Sequence, residues 1–272
     1  MIRRTVPQKT ISKESKLSGV GLHTGENVNI TFKPAPANTG IVFIREDIDG
    51  NNKIDAHIKY ISNTDRGTNL DNGSFRIHTS EHVLAAITGL DIDNCYICLD
   101  KAEVPIMDGS SKYFIKALEE AKIVEQNVLR EEFFPTDTIT YLCEETGSKI
   151  SIVPDNNYKV NTKVDYKTKV LGAQEASISH ISEFKKEIST ARTFSFLHEL
   201  EMLLKNGLIK GGDLNNAIVY VDKPLGESNM DILKEAFNKD SISVSPNGIL
   251  DNLDLHYPNE AARHKLLDVI GD

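Results

Sequence analysis

Two short fragments, separated by most of the chain, constrain the fold more than anything else in the sequence. Ser80-Glu81-His82 opens one segment of helical apolar spacing, and Arg263-His264-Lys265-Leu266-Leu267-Asp268 lies inside another near Asp272. His264 and Asp268 are four residues apart, so on a helix they stand one turn above each other on the same face and can share a small cation. If His82 is the third ligand, the fold must bring the earlier helix against the later one. Two imidazoles and a carboxylate would leave the fourth position of a tetrahedral Zn²⁺ to water, which distinguishes a hydrolytic site from a closed structural one. Glu81, immediately beside a ligand, would then be the general base for that water. A plainer alternative stands beside this reading. His264 and Asp268 can be an i,i+4 pair on a helix surface, with Glu81 and His82 decorating the first turn of an amphipathic helix.

The 272 residues are 39% hydrophobic and 26% charged, enough for one large or two medium domains with a sizeable core. Met1–Lys9 is basic but leads into no apolar stretch, and no run of 18 or more apolar residues occurs, so the chain carries no secretory or membrane-spanning signal. A formal charge of −9 argues against a nucleic-acid partner, which needs a concentrated basic face. Three cysteines make no disulfide framework and suit a reducing cytoplasm. Cys95 and Cys98 have CxxC spacing, but on the β-prone stretch Asn94–Leu99 they point to opposite faces and read as core thiols.

Along the chain, Val28–Phe32 and Ile41–Ile44 read as strands separated by the turn-rich Pro34–Gly40. A helix follows, capped by Thr79 or Ser80, with Val83, Leu84, Ile87 and Leu90 as its buried stripe and Gly89 marking its end. After a strand through Cys95–Leu99, Pro105–Ser110 connects to a second helix whose inward face is Phe114, Ile115 and Leu118. The charged segment Val124–Pro135 reads as a domain boundary, dividing the chain into residues 1–126 and 127–272. The second part is expected to hold strands at Thr138–Cys143, Ile150–Val153 and Tyr158–Val164, a helix from about Ser182 to Glu187, and a final helix near Asn259–Ile270. The fold class is α+β, with a cleft between the helix carrying His82 and the helix carrying His264.

Seven motifs then stand in one order: Gly19-Val20-Gly21-Leu22-His23-Thr24-Gly25, Pro34–Gly40, Thr79-Ser80-Glu81-His82, Gly89–Asn94, Pro105–Ser110, Ala191-Arg192-Thr193-Phe194, and Arg263-His264-Lys265 with Asp268 and Ile270-Gly271-Asp272. In this the chain resembles the bacterial UDP-3-O-acyl-N-acetylglucosamine deacetylases, zinc amidases of lipid A biosynthesis in Gram-negative organisms. The resemblance implies a two-domain sandwich, each domain a mostly antiparallel sheet packed on helices, with the helical layers facing each other across the active-site cleft. It implies one Zn²⁺ held by His82, His264 and Asp268, with Glu81 activating water, Thr193 binding the developing oxyanion and Lys265 contributing charge. Asp272 joins the catalytic set through the last motif, and His23 has a supporting substrate-binding place near the cleft.

The acyl chain of such a substrate needs an apolar slot. The resemblance places it in an insert at about residues 189–221, where Phe194, Phe196, Leu197, Leu200, Leu203, Leu204, Leu208, Ile209, Ile218 and Val219 follow a strand–helix–strand pattern. Each of these residues can equally be core, but Phe194 and Phe196, which follow Thr193, are assigned to substrate. His78 is four before His82, yet it precedes the expected helix start and reads as a surface or capping-region residue rather than a ligand. Asn69 stands where some relatives have cysteine. The family pattern continues past Asp272 with a strand, a helix and a Gly-His motif whose histidine protonates the leaving amine. The chain is therefore expected to be truncated, weakly folded and nearly inactive alone, and it could come from a polypeptide fused to a hydroxyacyl-carrier-protein dehydratase. The expected setting is cytoplasmic, with an acylated UDP-amino sugar as partner, at most peripheral membrane contact, and a monomer unless a fused domain oligomerises. Two other readings remain: a non-catalytic zinc-containing nucleotide-sugar-binding protein, and a deacetylase of another N-acetylated sugar.

Overall fold

A computed structural model describes residues 2–64, 66–205, 210–223, 227–251 and 253–272. It is a mixed α/β structure of several small sheets and six α-helices: α1 (Glu81–Gly89), α2 (Lys112–Glu120), α3 (Phe184–Glu187), α4 (Leu197–Lys205), α5 (Glu227–Ala236) and α6 (Glu260–Gly271). The largest sheet has five strands in the order Ser15–Val20, Asn27–Pro34, Cys95–Leu99, Ile41–Arg45, Lys53–Asp55. Cys95–Leu99 runs antiparallel to Asn27–Pro34 and parallel to Ile41–Arg45, as a strand returning from a helical crossover must. The segment read as a boundary carries a strand, Ile123–Leu129, which pairs antiparallel with Pro7–Ile11.

Beyond it come the hairpins Ile139–Leu142/Lys149–Ile152 and Val160–Asp165/Ala173–Ile178, close to the expected positions. The expected helix near Ser182 is a 3₁₀ turn, Ile181–Glu183, running into the short α3. Phe194–Phe196 pairs parallel with Ile218–Tyr220, with α4 between them in sequence. No helix among the described residues is long and apolar enough to cross a membrane.

One hydrophobic core runs through both parts of the chain. It joins Phe32, Phe43, Ile97 and Leu99 of the five-stranded sheet to Val83 and Ile87 of α1, Phe114 and Leu118 of α2, and Leu266, Leu267 and Ile270 of α6. α1 was expected to be amphipathic, yet Glu81, His82, Val83, Ala85, Ala86, Ile87 and Gly89 are all buried. It packs against α6, α2 and α3 and shares its apolar core with the five-stranded sheet, so little of its surface meets water. The two helices approach at backbone distance: a Cβ on Gly271 would lie 2.1 Å from the Glu81 carbonyl oxygen. Gly89 ends α1 as expected but for another reason, since a Cβ there would sit 2.0 Å from the Phe184 ring. The chain leaves the helix through Asp91, whose φ is +59°.

Cys95 and Cys98 are both buried, and burial pushes their thiols up to about 12 and about 11. They are inert structural thiols.

Candidate metal centre

The crossing of α1 and α6 brings together the residues that the sequence holds furthest apart. Ligand atoms of His82, His264 and Asp268 all lie within 4.8 Å of one another. Asp268 Oδ1 is 3.4 Å from His264 Nε2 and 3.8 Å from His82 Nε2. Donors about 2.0–2.1 Å from a tetrahedral cation stand roughly 3.3 Å apart, so the trio needs only a small contraction to hold one. Two of the three have their own support, while His82 Nδ1 is buried without a hydrogen-bond partner. His264 Nδ1 contacts the Ala191 carbonyl at 3.0 Å, which places the proton on Nδ1 and leaves the Nε2 lone pair facing Asp268. Asp268 Oδ2 accepts from Lys265 Nζ at 2.8 Å, while Oδ1 is buried without a hydrogen-bond partner. An orphaned carboxylate oxygen against two imidazoles is the donor set of a divalent-cation site, and the residues fit one.

Electrostatics agree. Burial, aided by His264, pushes His82 down to about 3, and burial also lowers His264, so both imidazoles are neutral and free to ligate at neutral pH. Burial works against ionisation of Asp268, but His264, Lys265 and His82 outweigh it and hold the carboxyl below its usual range. Glu81 is pushed up to about 8, first by burial and then by the charge of Asp268. Its Oε2 accepts from the Thr68 amide at 2.9 Å. Asp272 is raised by burial and accepts from the Thr68 hydroxyl. Glu81, Asp268 and Asp272 thus crowd one another, with Lys265 beside Asp268 and Asp272, an arrangement that a bound cation would relieve.

The entry to α1 is strained. Thr79 takes φ +58°, and Ser80 is the N-cap residue but makes no side-chain cap bond. Its hydroxyl donates instead to the Thr68 carbonyl at 2.9 Å, tying the residue just before the strand Asn69–Asp71 to the helix start. Ser111, just before α2, donates to the His82 carbonyl at 2.7 Å.

These groups line one end of a cavity of about 1180 Å³. Glu81, His82, His264, Lys265, Asp268, Asp272, Thr193 and His23 all face it, as do Phe194 and Phe196. Among the remaining insert residues, Leu200, Leu203 and Val219 reach the cavity, whereas Leu197 and Ile218 are fully packed in small apolar clusters and do not line it. The Leu204 side chain, Leu208 and Ile209 lie outside the described residues.

His78 is no simple surface residue. It is half-buried, bridges backbone to backbone with Glu103, and its Nδ1 is 3.0 Å from Asn69 Oδ1; both His78 and Asn69 line the cavity away from the ligand trio. The sequence reading missed Thr162, Val164 and Tyr166, which form another wall, and Phe237, which joins the apolar end. It also missed the buried pair of Arg192 with Glu260, at 2.8 Å, which pins the Ala191–Thr193 segment to the first turn of α6.

Residues 8–239 match the family described as LpxC: UDP-3-O-acyl N-acetylglycosamine deacetylase. The chain belongs to that family. It is 43% identical over 270 residues to the bifunctional enzyme LpxC/FabZ of Chlorobaculum tepidum, an alignment covering 98% of this chain and 58% of that protein. The bifunctional enzyme LpxC/FabZ of Bacteroides thetaiotaomicron is 40% identical over 265 residues, with 97% and 58% covered. The UDP-3-O-acyl-N-acetylglucosamine deacetylase of Coxiella burnetii is 37% identical over 270 residues, with 98% and 80% covered. The chain therefore spans 58% of the length of these bifunctional relatives.

Proposed function

We propose that the protein hydrolyses the N-acetyl group of a UDP-3-O-(3-hydroxyacyl)-N-acetylglucosamine, giving acetate and the free amine, the committed step of lipid A biosynthesis. The observation that carries this reading is the unpartnered Asp268 Oδ1 facing two neutral imidazoles beside buried Glu81, at one end of a cavity whose other end is apolar. His82, His264 and Asp268 would hold one Zn²⁺, whose Lewis acidity polarises an acetamide carbonyl and acidifies water. Glu81 takes a proton from the attacking water as its oxygen bonds to the acetyl carbon. Thr193 and Lys265 face the oxygen that becomes negative, the hydroxyl as a donor and the ammonium as a charge. The C–N bond then breaks, and the departing nitrogen takes a proton, which the family pattern assigns to the histidine of the Gly-His motif beyond Asp272 and which Glu81 alone would have to return in its absence. Asp272 and its Thr68 partner flank Glu81, and His23 stands at the substrate side of the same cavity.

Phe194, Phe196, Leu200, Leu203 and Val219 form the slot in this reading, and an acylated UDP-amino sugar is the partner. A nucleotide-sugar substrate and three free thiols favour the cytoplasm. The mixed architecture is read as a two-domain sandwich, residues 1–126 and 127–272, whose helical layers meet where α1 crosses α6.

The test is acetate release from the acylated substrate and from an analogue lacking the acyl chain, with Leu203→Gln beside the unaltered protein. An apolar slot contributes about 0.8 kcal/mol per buried CH₂, so the variant's loss should grow with acyl length. Equal losses on both substrates would make Leu203 core and remove the slot. No acetate from either, even from a chain extended through the Gly-His motif, would remove the deacetylase reading.

A further inference from the structure

Glu103 is fully buried, yet it faces no cation. Its carboxylate is satisfied by four donors that come from two different places. Oε1 accepts from the His23 amide at 2.9 Å and the Thr79 hydroxyl at 3.2 Å. Oε2 accepts from the Thr24 amide at 2.9 Å and the Thr24 hydroxyl at 2.7 Å. Thr79 is the strained residue two before Glu81, so one arm reaches the start of α1. The other arm holds the loop Gly21–Gly25, and that loop is joined to the insert itself, between α4 and the strand Ile218–Tyr220: the Gly211 amide donates to the Leu22 carbonyl at 3.0 Å. No side chain fits in that joint. A Cβ on Gly211 would lie 2.2 Å from the Gly21 carbonyl oxygen, and one on Gly25 would lie 2.9 Å from Lys210 Cβ. Leu22, His23 and Gly212 line the cavity, as Glu81 does, while Glu103 itself does not.

We propose that Glu103 is a positioning residue that sets the apolar insert and the Glu81-His82 turn in register with each other. It reaches no reacting atom. Through Thr79 it fixes where α1 begins, and through the glycine loop it fixes the middle of the insert at Gly211, so that the reacting amide and the far end of an acyl chain are measured from one point. This rests on the deacetylase reading above. A buried carboxylate suits the task because both of its oxygens accept, whereas an amide in the same place turns one of them into a donor that faces a backbone N–H whichever way it is flipped.

The experiment compares Glu103→Gln, Thr79→Val and Thr24→Val in the full chain, at matched zinc content. The readouts are amide hydrogen exchange and kcat and KM over a series of acyl lengths. Glu103→Gln is expected to keep its zinc, to speed exchange both at the first turn of α1 and at Gly211, and to lower kcat by on the order of tenfold to hundredfold. It should also flatten the dependence of kcat/KM on acyl length. Thr79→Val cuts only the arm to α1, so kcat should fall while the Gly211 amide and the acyl-length dependence stay as they were. Thr24→Val should show the converse pattern, and with Thr79→Val it decides the matter if Glu103→Gln does not fold. A Glu103→Gln protein that merely melts earlier, with exchange at Gly211 and acyl dependence unchanged, would overturn the proposal, as would loss of its zinc. If the protein extended through the Gly-His motif releases no acetate, the deacetylase reading fails while the exchange measurements still decide whether Glu103 couples the two segments.

Discussion

The two ends of α1 both carry acidic groups, and the fold treats them in opposite ways. Both ends join the chain through a non-glycine residue with positive φ, Thr79 at +58° and Asp91 at +59°. At the C-terminal end every charge is matched. Arg130 donates to both oxygens of Asp93 at 2.7 and 2.9 Å, reaches Asp91, and bonds the Asp91 carbonyl at 3.1 Å, while Lys9 holds Asp91 Oδ2 at 2.7 Å. Cations gathered there also suit the negative end of the helix dipole. At the N-terminal end the carboxyl groups outnumber the cations, Glu81 is pushed up to about 8, and Asp268 Oδ1 has no partner. A saturated cluster holds structure. An unsaturated one keeps coordination open for something that arrives, and marks where chemistry belongs.

The largest effect should come from emptying the unsaturated end. His264→Ala or Asp268→Ala removes one of three ligands, and stoichiometric zinc should disappear from the purified protein by elemental analysis. Full occupancy in either variant would show that the trio is not the site. Glu81→Ala should behave differently. It keeps the ligands, so zinc stays, and deacetylation should fall by about 10²–10⁴-fold. Near-normal kcat would reduce Glu81 to a buried carboxyl at a helix start.

The unsaturated end was legible in the sequence because local rules write it. His264 and Asp268 follow helical spacing, and Glu81-His82 sits where an apolar period begins. The strands at Val28–Phe32, Ile41–Ile44 and Cys95–Leu99 and α2 were legible for the same reason, whereas Pro7–Ile11, Ser15–Val20 and Ala173–Ile178 were not expected, and Ile123–Leu129 lies where a boundary was read. What escaped depends on partners far away in the chain. Nothing local to Lys101-Ala102-Glu103 signals a buried carboxylate, and only the glycine loop eighty residues earlier explains why Glu103 is buried. Arg192 and Glu260 are 68 positions apart, and neither alone signals a buried pair. Thr162 and Val164 share one face of the regularly alternating strand Val160–Asp165, and Tyr166 follows it, but that this face lines a cavity appears only when α6 packs beside it. Gly271 looked like a motif residue, and its reason is the carbonyl of Glu81.

Two glycines make the next comparison direct. Gly89→Ala would drive a methyl into the Phe184 ring, and Gly271→Ala would drive one into the Glu81 carbonyl. Overpacking of this kind costs about 1–3 kcal/mol, so both should lower Tm by similar amounts. Gly271→Ala alone should also lower kcat, because the helix it pushes away carries Glu81 and His82 at the point of contact. Matching kcat in the two variants would mean that the α1–α6 spacing does not set the site.

The smallest effect belongs to the saturated end, and pH isolates it. Burial raises Asp91, but the hydrogen bonds from Arg130 and Lys9 outweigh it and hold the carboxyl below its ordinary value. A carboxyl lowered by folding contributes stability that is complete above its unfolded pKa of about 3.9 and is lost as pH falls through the folded value. Arg130 is raised and stays charged across that window, so Asp91 is the group that changes. Arg130→Met should therefore cost on the order of 1 kcal/mol at pH 6, since the Asp91 side chain is 34% exposed and screened by water. The gap in urea midpoint between the variant and the unaltered protein should narrow below pH 4, and salt should narrow it at pH 6 as well. Zinc content and kcat should not move, because neither Arg130 nor Asp91 reaches the cavity. A gap that stays constant from pH 6 to pH 3 would show that Arg130 acts by packing and by its bond to the Asp91 carbonyl. The contrast between the two ends of the helix would then rest on the open one alone.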